Sequence, residues 1–290
     1  MRVTVNAPAK LNLALDIVGR RADGYHLLKM VTQSVDICDT VTVTSEDDDD
    51  VPIRLVCDDE LPRDDSNTAV RAAKAFFEFN EMTSPGITIK IKKKIPVSAG
   101  LGGGSADAAA VIVALDEMFC TRLSCDELCA IGEMVGADVP MCIVGGTALV
   151  EGTGTLINPL PDLPECFFVL AIGDTKTSTA DMYARYDRLK EHPHVDTDCV
   201  VDAVCSGDLE AAAADFANVF EELWGDSKIP EIKKTMLRHG AIGSAITGSG
   251  PTVFGVFEEK ADAAECAGIL KKICDEVIIC EPHRAGAEIQ

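Results

Sequence analysis

Four glycines fall within five positions in Gly100-Leu101-Gly102-Gly103-Gly104, and the chain then runs into Ser105-Ala106-Asp107-Ala108-Ala109-Ala110. Glycine reaches positive φ without steric cost and puts no side chain between the backbone and a neighbour. The alanines that follow favour helix. Together they predict a tight turn feeding into a helix over about residues 105–118. Unpaired N–H groups and the positive end of the helix dipole meet at such a junction, which suits an anion. A Walker loop is excluded because no Gly-Lys-Ser/Thr follows. The dinucleotide fingerprint is excluded because Ser105 stands where its third glycine belongs. Taken alone, the segment is equally well a tight turn without a ligand.

Around this junction the apolar pattern switches between two periods. Leu11, Leu13 and Leu15 alternate with Asn12, Ala14 and Asp16, predicting a half-buried strand over 9–18 after a shorter one at 2–5. A charged turn at 19–24 leads to a Val- and Thr-rich strand over 31–43. Ser66-Asn67 caps a helix to about residue 79, with Ala69, Val70, Ala73 and Phe76 or Phe77 on one face. Ile87, Ile89 and Ile91 mark another strand, and Lys92-Lys93-Lys94 is expected at a solvated strand edge. Ser124 with Glu127 forms a capping box for a helix ending near Gly136. Strand resumes past Gly145-Gly146, and Pro159, Pro161 and Pro164 then read as a linker.

The expected division is therefore residues 1–158 and 159–290. In the second part, strands are expected at 167–172, 252–257 and 276–280, and helices near 181–190, 200–206, 208–223 and 261–273. The fold class is mixed α and β.

Composition narrows the function. The net charge of −22 excludes nucleic acid as a natural partner unless a basic face exists, and the sequence offers only one short basic run. An anionic small molecule remains compatible, since a few amides and lysines dominate a local cleft. The acidic run at 46–50 is expected at a solvated loop tip. No stretch approaches the roughly 20 apolar residues of a membrane span. The start, Met1 to Lys10, does not resemble a signal peptide, so the chain is expected in the cytoplasm without membrane attachment. The 12 cysteines include no Cys-x-x-Cys and sit singly, many in apolar runs, so they are expected as reduced thiols.

Three further segments bear on the glycine turn. Ala7-Pro8-Ala9-Lys10-Leu11-Asn12-Leu13 puts a lysine and an asparagine on the polar face of an early strand. Gly136-Ala137-Asp138-Val139-Pro140 holds a lone carboxylate between apolar residues. Ile246-Thr247-Gly248-Ser249-Gly250-Pro251-Thr252 is a second small-residue turn. Each has a bland reading as strand, helix end or strand entry; their order is less bland.

Pro-x-Lys-x-Asn, Pro-x-x-x-Gly-Leu-Gly-Gly-Gly-Ser-Ala and Thr-Gly-Ser-Gly-Pro resemble the three motifs of the GHMP kinases, named for galactose, homoserine, mevalonate and phosphomevalonate. Gly19-Arg20-Arg21-Ala22-Asp23-Gly24-Tyr25-His26 and Ser178-Thr179-Ala180-Asp181-Met182-Tyr183 are similar to one branch, whose substrate is a cytidyl-diphosphate methylerythritol in non-mevalonate isoprenoid synthesis. The likeness runs from Ala7 to about Phe257.

The resemblance implies an N-terminal ribosomal protein S5 domain 2-like unit with an unusual left-handed crossover. It implies a C-terminal ferredoxin-like unit and an active site in the cleft between the two. It implies ATP with Mg²⁺, held by the segment Pro96, Val97, Ser98, Ala99, Gly100, Leu101, Gly102, Gly103, Gly104, Ser105 and Ala106; no metal ligand is assigned, Ser105 being the nearest candidate. Asp138 is then the general base and Lys10 its cationic neighbour. Asn12, Thr179, Gly248 and Ser249 contact the substrate, and its base lies between Tyr25 and Tyr183 with His26 hydrogen-bonded to it.

Two departures from the family stand out: Leu27 where Glu is common, and Asn218-Val219-Phe220-Glu221 where Asn-Asp-Leu-Glu is usual, with Asn218 expected to be structural. The competing readings are a homoserine, mevalonate or sugar kinase of the same superfamily and a non-catalytic ATP-binding relative. Monomer and homodimer both remain open.

Overall fold

The structure, a computed structural model, describes residues 1–45, 53–57, 61–173, 178–225 and 227–290. The acidic run at 46–50 lies outside the described residues. Two sheets organise the chain. The larger has the order β12 (Glu288–Ile289), β1 (Arg2–Arg20), β2 (His26–Ser45), β4 (Ile87–Lys92) and β3 (Ile53–Cys57), with a hairpin of β5 (Thr147–Gly152) and β6 (Leu156–Pro159) joined to β2 and a short β8 (Ala217–Asn218) on β1.

Strand β1 (Arg2–Arg20) is one continuous strand where two are expected, paired antiparallel with β2 (His26–Ser45). Pro8 does not break it, because the register shifts between Pro8 and Ala9 and the ladder resumes past the missing N–H. The expected wet face is dry: Asn12, Ala14 and Asp16 are as buried as Leu11 and Leu13. Residues of the C-terminal half cover it, with the Asn12 N–H donating to Thr247 Oγ1 at 2.9 Å and the Val195 N–H to Asp16 Oδ1 at 3.2 Å.

Strand β3 (Ile53–Cys57), not expected from the sequence, pairs parallel with β4 (Ile87–Lys92) and takes the edge position from it. Helices α1 (Thr68–Phe79), α2 (Gly103–Phe119), α3 (Cys125–Val135) and α4 (Val139–Val144) pack on one another, with α2 and α4 also against β1. Helix α3 carries the predicted Ser124–Glu127 capping box. The hairpin of β5 (Thr147–Gly152) and β6 (Leu156–Pro159) follows.

The second sheet contains β7 (Phe167–Ile172), β9 (Gly243–Ile246), β10 (Thr252–Phe257) and β11 (Glu276–Cys280) in the order β11-β7-β10-β9, antiparallel throughout. Numbered along the chain this order is 4-1-3-2, the ferredoxin-like arrangement. Between β7 and β9 run α5 (Thr179–Tyr186), α6 (Thr197–Ser206), α7 (Leu209–Ala214) and α8 (Ile229–Arg238). The helix expected over 208–223 ends at Ala214, because Ala217–Asn218 (β8) leaves to pair parallel with Ala14 and Leu15. A 3₁₀ turn at Glu221–Trp224 precedes α8, a helix not read from the sequence. Helix α9 (Lys260–Leu270) packs on β7, β10 and β11, and β12 (Glu288–Ile289) returns to β1. Among the described residues no helix is long and apolar enough to cross a membrane.

Candidate active site

A cleft of about 440 Å³ is lined by residues of both halves. It gathers Lys10, Asn12, the loop from Pro96 to Ser105, Asp138, Thr179, Tyr183, Gly248 and Ser249. Of the residues singled out in the sequence, Ala106, Tyr25 and His26 do not line it. Ala106 is fully buried beneath the loop in α2.

The glycines are required by conformation and by crowding. Gly100 and Gly102 have φ of +80° and +72°. A Cβ on Gly100 would sit 2.7 Å from the Thr247 carbonyl oxygen, and one on Gly248 would sit 3.0 Å from the Gly100 carbonyl oxygen. The two small-residue turns therefore interlock, and Thr252 Oγ1 fastens them by donating to Ala99 O at 2.6 Å. Helix α2 begins at Gly103, two residues before the expected start, since the Ser105 and Ala106 N–H groups already bond Gly102 O at 2.9 Å.

Lys10 lies against this loop. Its N–H donates to Leu101 O at 3.0 Å, and a Cβ on Gly102 would meet its Cγ at 3.0 Å. The buried ammonium donates to Asn12 Oδ1 at 2.6 Å and stands 3.5 Å from Asp138 Oδ2. Asp138 begins α4 without using its side chain as a cap, and that side chain is 42% exposed. A buried cation beside an open carboxylate at the loop is an arrangement suited to proton abstraction. Asn12 is engaged within the protein: Oδ1 also accepts from the Gly248 N–H at 3.1 Å, and Nδ2 reaches Thr32 Oγ1 at 3.2 Å.

The lysine run is solvated only in part: Lys92 and Lys94 are exposed, as expected, but the Lys93 side chain is not. Lys93 is buried between Asp39 and Asp107, pairing with Asp39 and with Asp107 Oδ2 at 2.8 Å, while Asp39 Oδ1 also caps the Lys94 and Ile95 N–H groups. Burial alone lowers the Lys93 ammonium, but Asp107 and Asp39 outweigh it and hold it above its ordinary value. Burial pushes the Asp107 carboxyl up to about 7, against the pull of Lys93. Lys93 and Asp107 line the cleft, and Asp107 Oδ1 is buried without a partner. The sequence signal was the one acidic residue among the alanines of α2.

Asn67 and Thr68, at the start of α1, also face the cleft. Two helix N-termini, those of α1 and α2, thus point positive dipole ends at one space, which is how an acidic chain makes room for an anion.

At the other wall His26 stacks on Tyr183, with centroids 4.7 Å apart and planes 24° from parallel, and Phe220 meets the Tyr183 ring edge-on. The structure brings His26, not Tyr25, onto this ring; Tyr25 is 67% exposed. Burial, with a contribution from Asp138, raises the Tyr183 hydroxyl well above its ordinary value, which ties the aromatic wall electrostatically to the carboxylate. Thr179 Oγ1 lies 3.2 Å from Ser249 Oγ.

Asn218 is structural, as expected: Nδ2 donates to Ile246 O and Gly248 O, and Oδ1 accepts from the Phe220 N–H. All 12 cysteines are free thiols. Six are buried, while Cys120, Cys125, Cys199 and Cys205 are exposed rather than in the core. Burial pushes Cys142 and Cys166 up to about 12, so these thiols stay protonated.

Comparison with known proteins agrees with this geometry. Residues 67–146 match the GHMP kinases N-terminal domain and residues 226–276 the GHMP kinases C-terminal domain. A 4-diphosphocytidyl-2-C-methyl-D-erythritol kinase of Alkaliphilus metalliredigens is 40% identical over 89% of this chain and 88% of its own length. A crystal structure of 4-(cytidine 5'-diphospho)-2C-methyl-D-erythritol kinase superposes with a TM-score of 0.78 at 28% identity, covering 97% of this chain and 99% of that one. A homoserine kinase from Cytophaga hutchinsonii has a TM-score of 0.81 at 21% identity over 100% of this chain and 97% of its own, a likeness of fold alone. The interlocked glycine turns, the Lys10–Asp138 pair beside them and the full-length relatives lead to one assignment: this chain belongs to the GHMP kinases, in the group of the 4-diphosphocytidyl-2-C-methyl-D-erythritol kinases.

Proposed function

We propose that this chain transfers the γ-phosphoryl group of ATP to the 2-hydroxyl of 4-diphosphocytidyl-2-C-methyl-D-erythritol, giving the 2-phosphate and ADP, in the non-mevalonate route to isoprenoid precursors. The observation that carries this is the 3.5 Å pair of buried Lys10 and open Asp138 beside the glycine loop, with an aromatic wall across the same cleft.

Asp138 takes the proton of the 2-hydroxyl as its oxygen attacks the γ-phosphorus, a role worth ~10²–10⁴-fold in rate. Lys10 keeps that carboxylate ionised and offsets charge on the moving phosphoryl group. Asn12 holds Lys10 in place and thereby links the base to the Gly248 turn. The loop N–H groups and the α1 and α2 termini bind the phosphates, so the protein supplies position and charge rather than covalent chemistry. The residue set fits Mg²⁺ entering with the nucleotide. Among the described residues no cluster of three or more His, Cys, Asp or Glu could hold a metal unaided, and Mg²⁺ in kinases rides on phosphates with one or two carboxylates. The Ser105 hydroxyl and Asp107, whose Oδ1 is unpartnered, would hold it. Bound there, Mg²⁺ would neutralise charge on the transferring phosphates.

The cytosine ring meets the His26–Tyr183 wall, and the exposed Tyr25 closes over it; stacking of a base on an aromatic face is worth about 1–3 kcal/mol. The proposal includes the division at 158/159, one residue inside the end of the β5–β6 hairpin and ahead of the second sheet, which starts at β7. Incubation with Mg-ATP and the cytidyl substrate, followed by ³¹P NMR, tests the function. A new phosphomonoester signal is the expected result. Turnover of homoserine or mevalonate with none of the cytidyl compound would overturn it.

A further inference from the structure

Asp187 caps the C-terminus of α5, one turn beyond Tyr183, its N–H donating to Tyr183 O at 2.9 Å. Its carboxylate leaves the helix and reaches the turn between β1 and β2. Oδ1 lies 2.8 Å from His26 Nε2, and Oδ2 lies 3.4 Å from an Arg20 guanidinium nitrogen. Arg20 Nε in turn donates to Gly24 O at 3.0 Å, one residue before Tyr25. One residue of α5 thus joins the two pieces of chain that carry Tyr25, His26 and Tyr183.

A carboxylate accepts hydrogen bonds and cannot donate them when ionised. In the neutral imidazole the proton facing Asp187 therefore sits on Nε2, and Nδ1 is left as a bare acceptor. No described residue hydrogen-bonds Nδ1. An acceptor on the ring stacked against Tyr183, which lines the cleft, matches the exocyclic amino group of cytosine, a donor, and opposes the carbonyl oxygen that uracil carries at the same position. Hydrogen bonds run in the imidazole plane, so the base meets His26 edge-on while Tyr25 covers its face.

We infer that Asp187 is a positioning residue that sets pyrimidine specificity: it fixes His26 with Nδ1 as an acceptor, so that the site takes a cytidyl over a uridyl diphosphate. The inference rests on the cytidyl-substrate reading given above.

The test compares wild type, Asp187→Ala and Asp187→Glu with the cytidyl substrate and its uridyl counterpart, and records ¹⁵N NMR of the His26 ring in the wild type. A lost or misdirected polar contact corresponds to about tenfold. Asp187→Ala is expected to raise KM for the cytidyl compound about tenfold, to leave kcat within about twofold, and to shrink the preference over the uridyl compound by about the same factor. Asp187→Glu should recover part of that preference. The ring should carry its proton on Nε2. Equal losses for both substrates, a fall in kcat at constant KM, or a proton on Nδ1 would overturn the inference. Should the variants fail to fold, the wild-type ring spectrum still decides the tautomer. Absence of wild-type turnover with the cytidyl compound would instead overturn the substrate reading, and the specificity claim with it, whatever the tautomer.

Discussion

In the proposed mechanism Asp138 and Lys10 divide their task by exposure: the carboxylate is open to an incoming hydroxyl, and the ammonium is sealed behind it by Gly102 and Asn12. Asp138→Asn keeps the shape and removes the base, so kcat should fall about 10²–10⁴-fold with KM for ATP little changed, measured by ADP release. Asp107 carries a second prediction. In the ligand-free protein its carboxyl, raised to about 7 by burial, binds a proton that the unfolded chain has released. Its contribution to stability is therefore full below pH 4 and is lost as pH rises through 7. Asp107→Asn should flatten this decline in Tm between pH 5 and 8, read by thermal melts; an unchanged slope would remove Asp107 as its cause. At this scale the glycine turn was legible in its local context, while Lys10 and Asp138 were singled out by the family resemblance. Lys93 was not, because its partners, Asp39 and Asp107, come from β2 and α2, 54 and 14 residues away.

Helices with their own signals were read well, and those defined by partners were not. Helix α3 was legible in Ser124 and Glu127, and α2 in its alanines. Strand β3, five residues long, and α4, six, were not read. The run 208–223 was read as helix because nothing local announces that Ala217–Asn218 will join β1. The glycine turns yield a paired test. Gly100→Ala forces a Cβ against the Thr247 carbonyl at φ +80° and should cost about 1–3 kcal/mol, with a higher KM for ATP. Gly207, at the end of α6, has φ +73° but open space around it, so Gly207→Ala should cost about 1 kcal/mol and leave ATP binding alone. Differential scanning fluorimetry and ATP titration separate the two.

The whole chain carries −22, yet the proposed phosphate site relies on backbone dipoles with Lys10 and Lys93 in the cleft rather than on a basic surface. Mg-ATP at about 100 times its Kd should stabilise the fold by about 2.7 kcal/mol, a rise in Tm that Gly100→Ala should largely abolish at the same ATP concentration. The ferredoxin-like half was expected from family likeness, not from periodicity, which reports strands but not who sits beside whom. That same adjacency has a temporal side. The loop from Pro96 to Ser105 is shaped by Thr247, Gly250 and Thr252, the last bonded to Ala99 across 153 residues. Contacts of such separation form late, after the entropy of closing the intervening chain has been overcome. During synthesis the loop emerges long before its walls exist, and a chain stopped at residue 158 holds every glycine of the loop and none of the carbonyls that bend it. On the proposed reading, the loop takes its full nucleotide-binding shape only once the second half of the chain has folded against it.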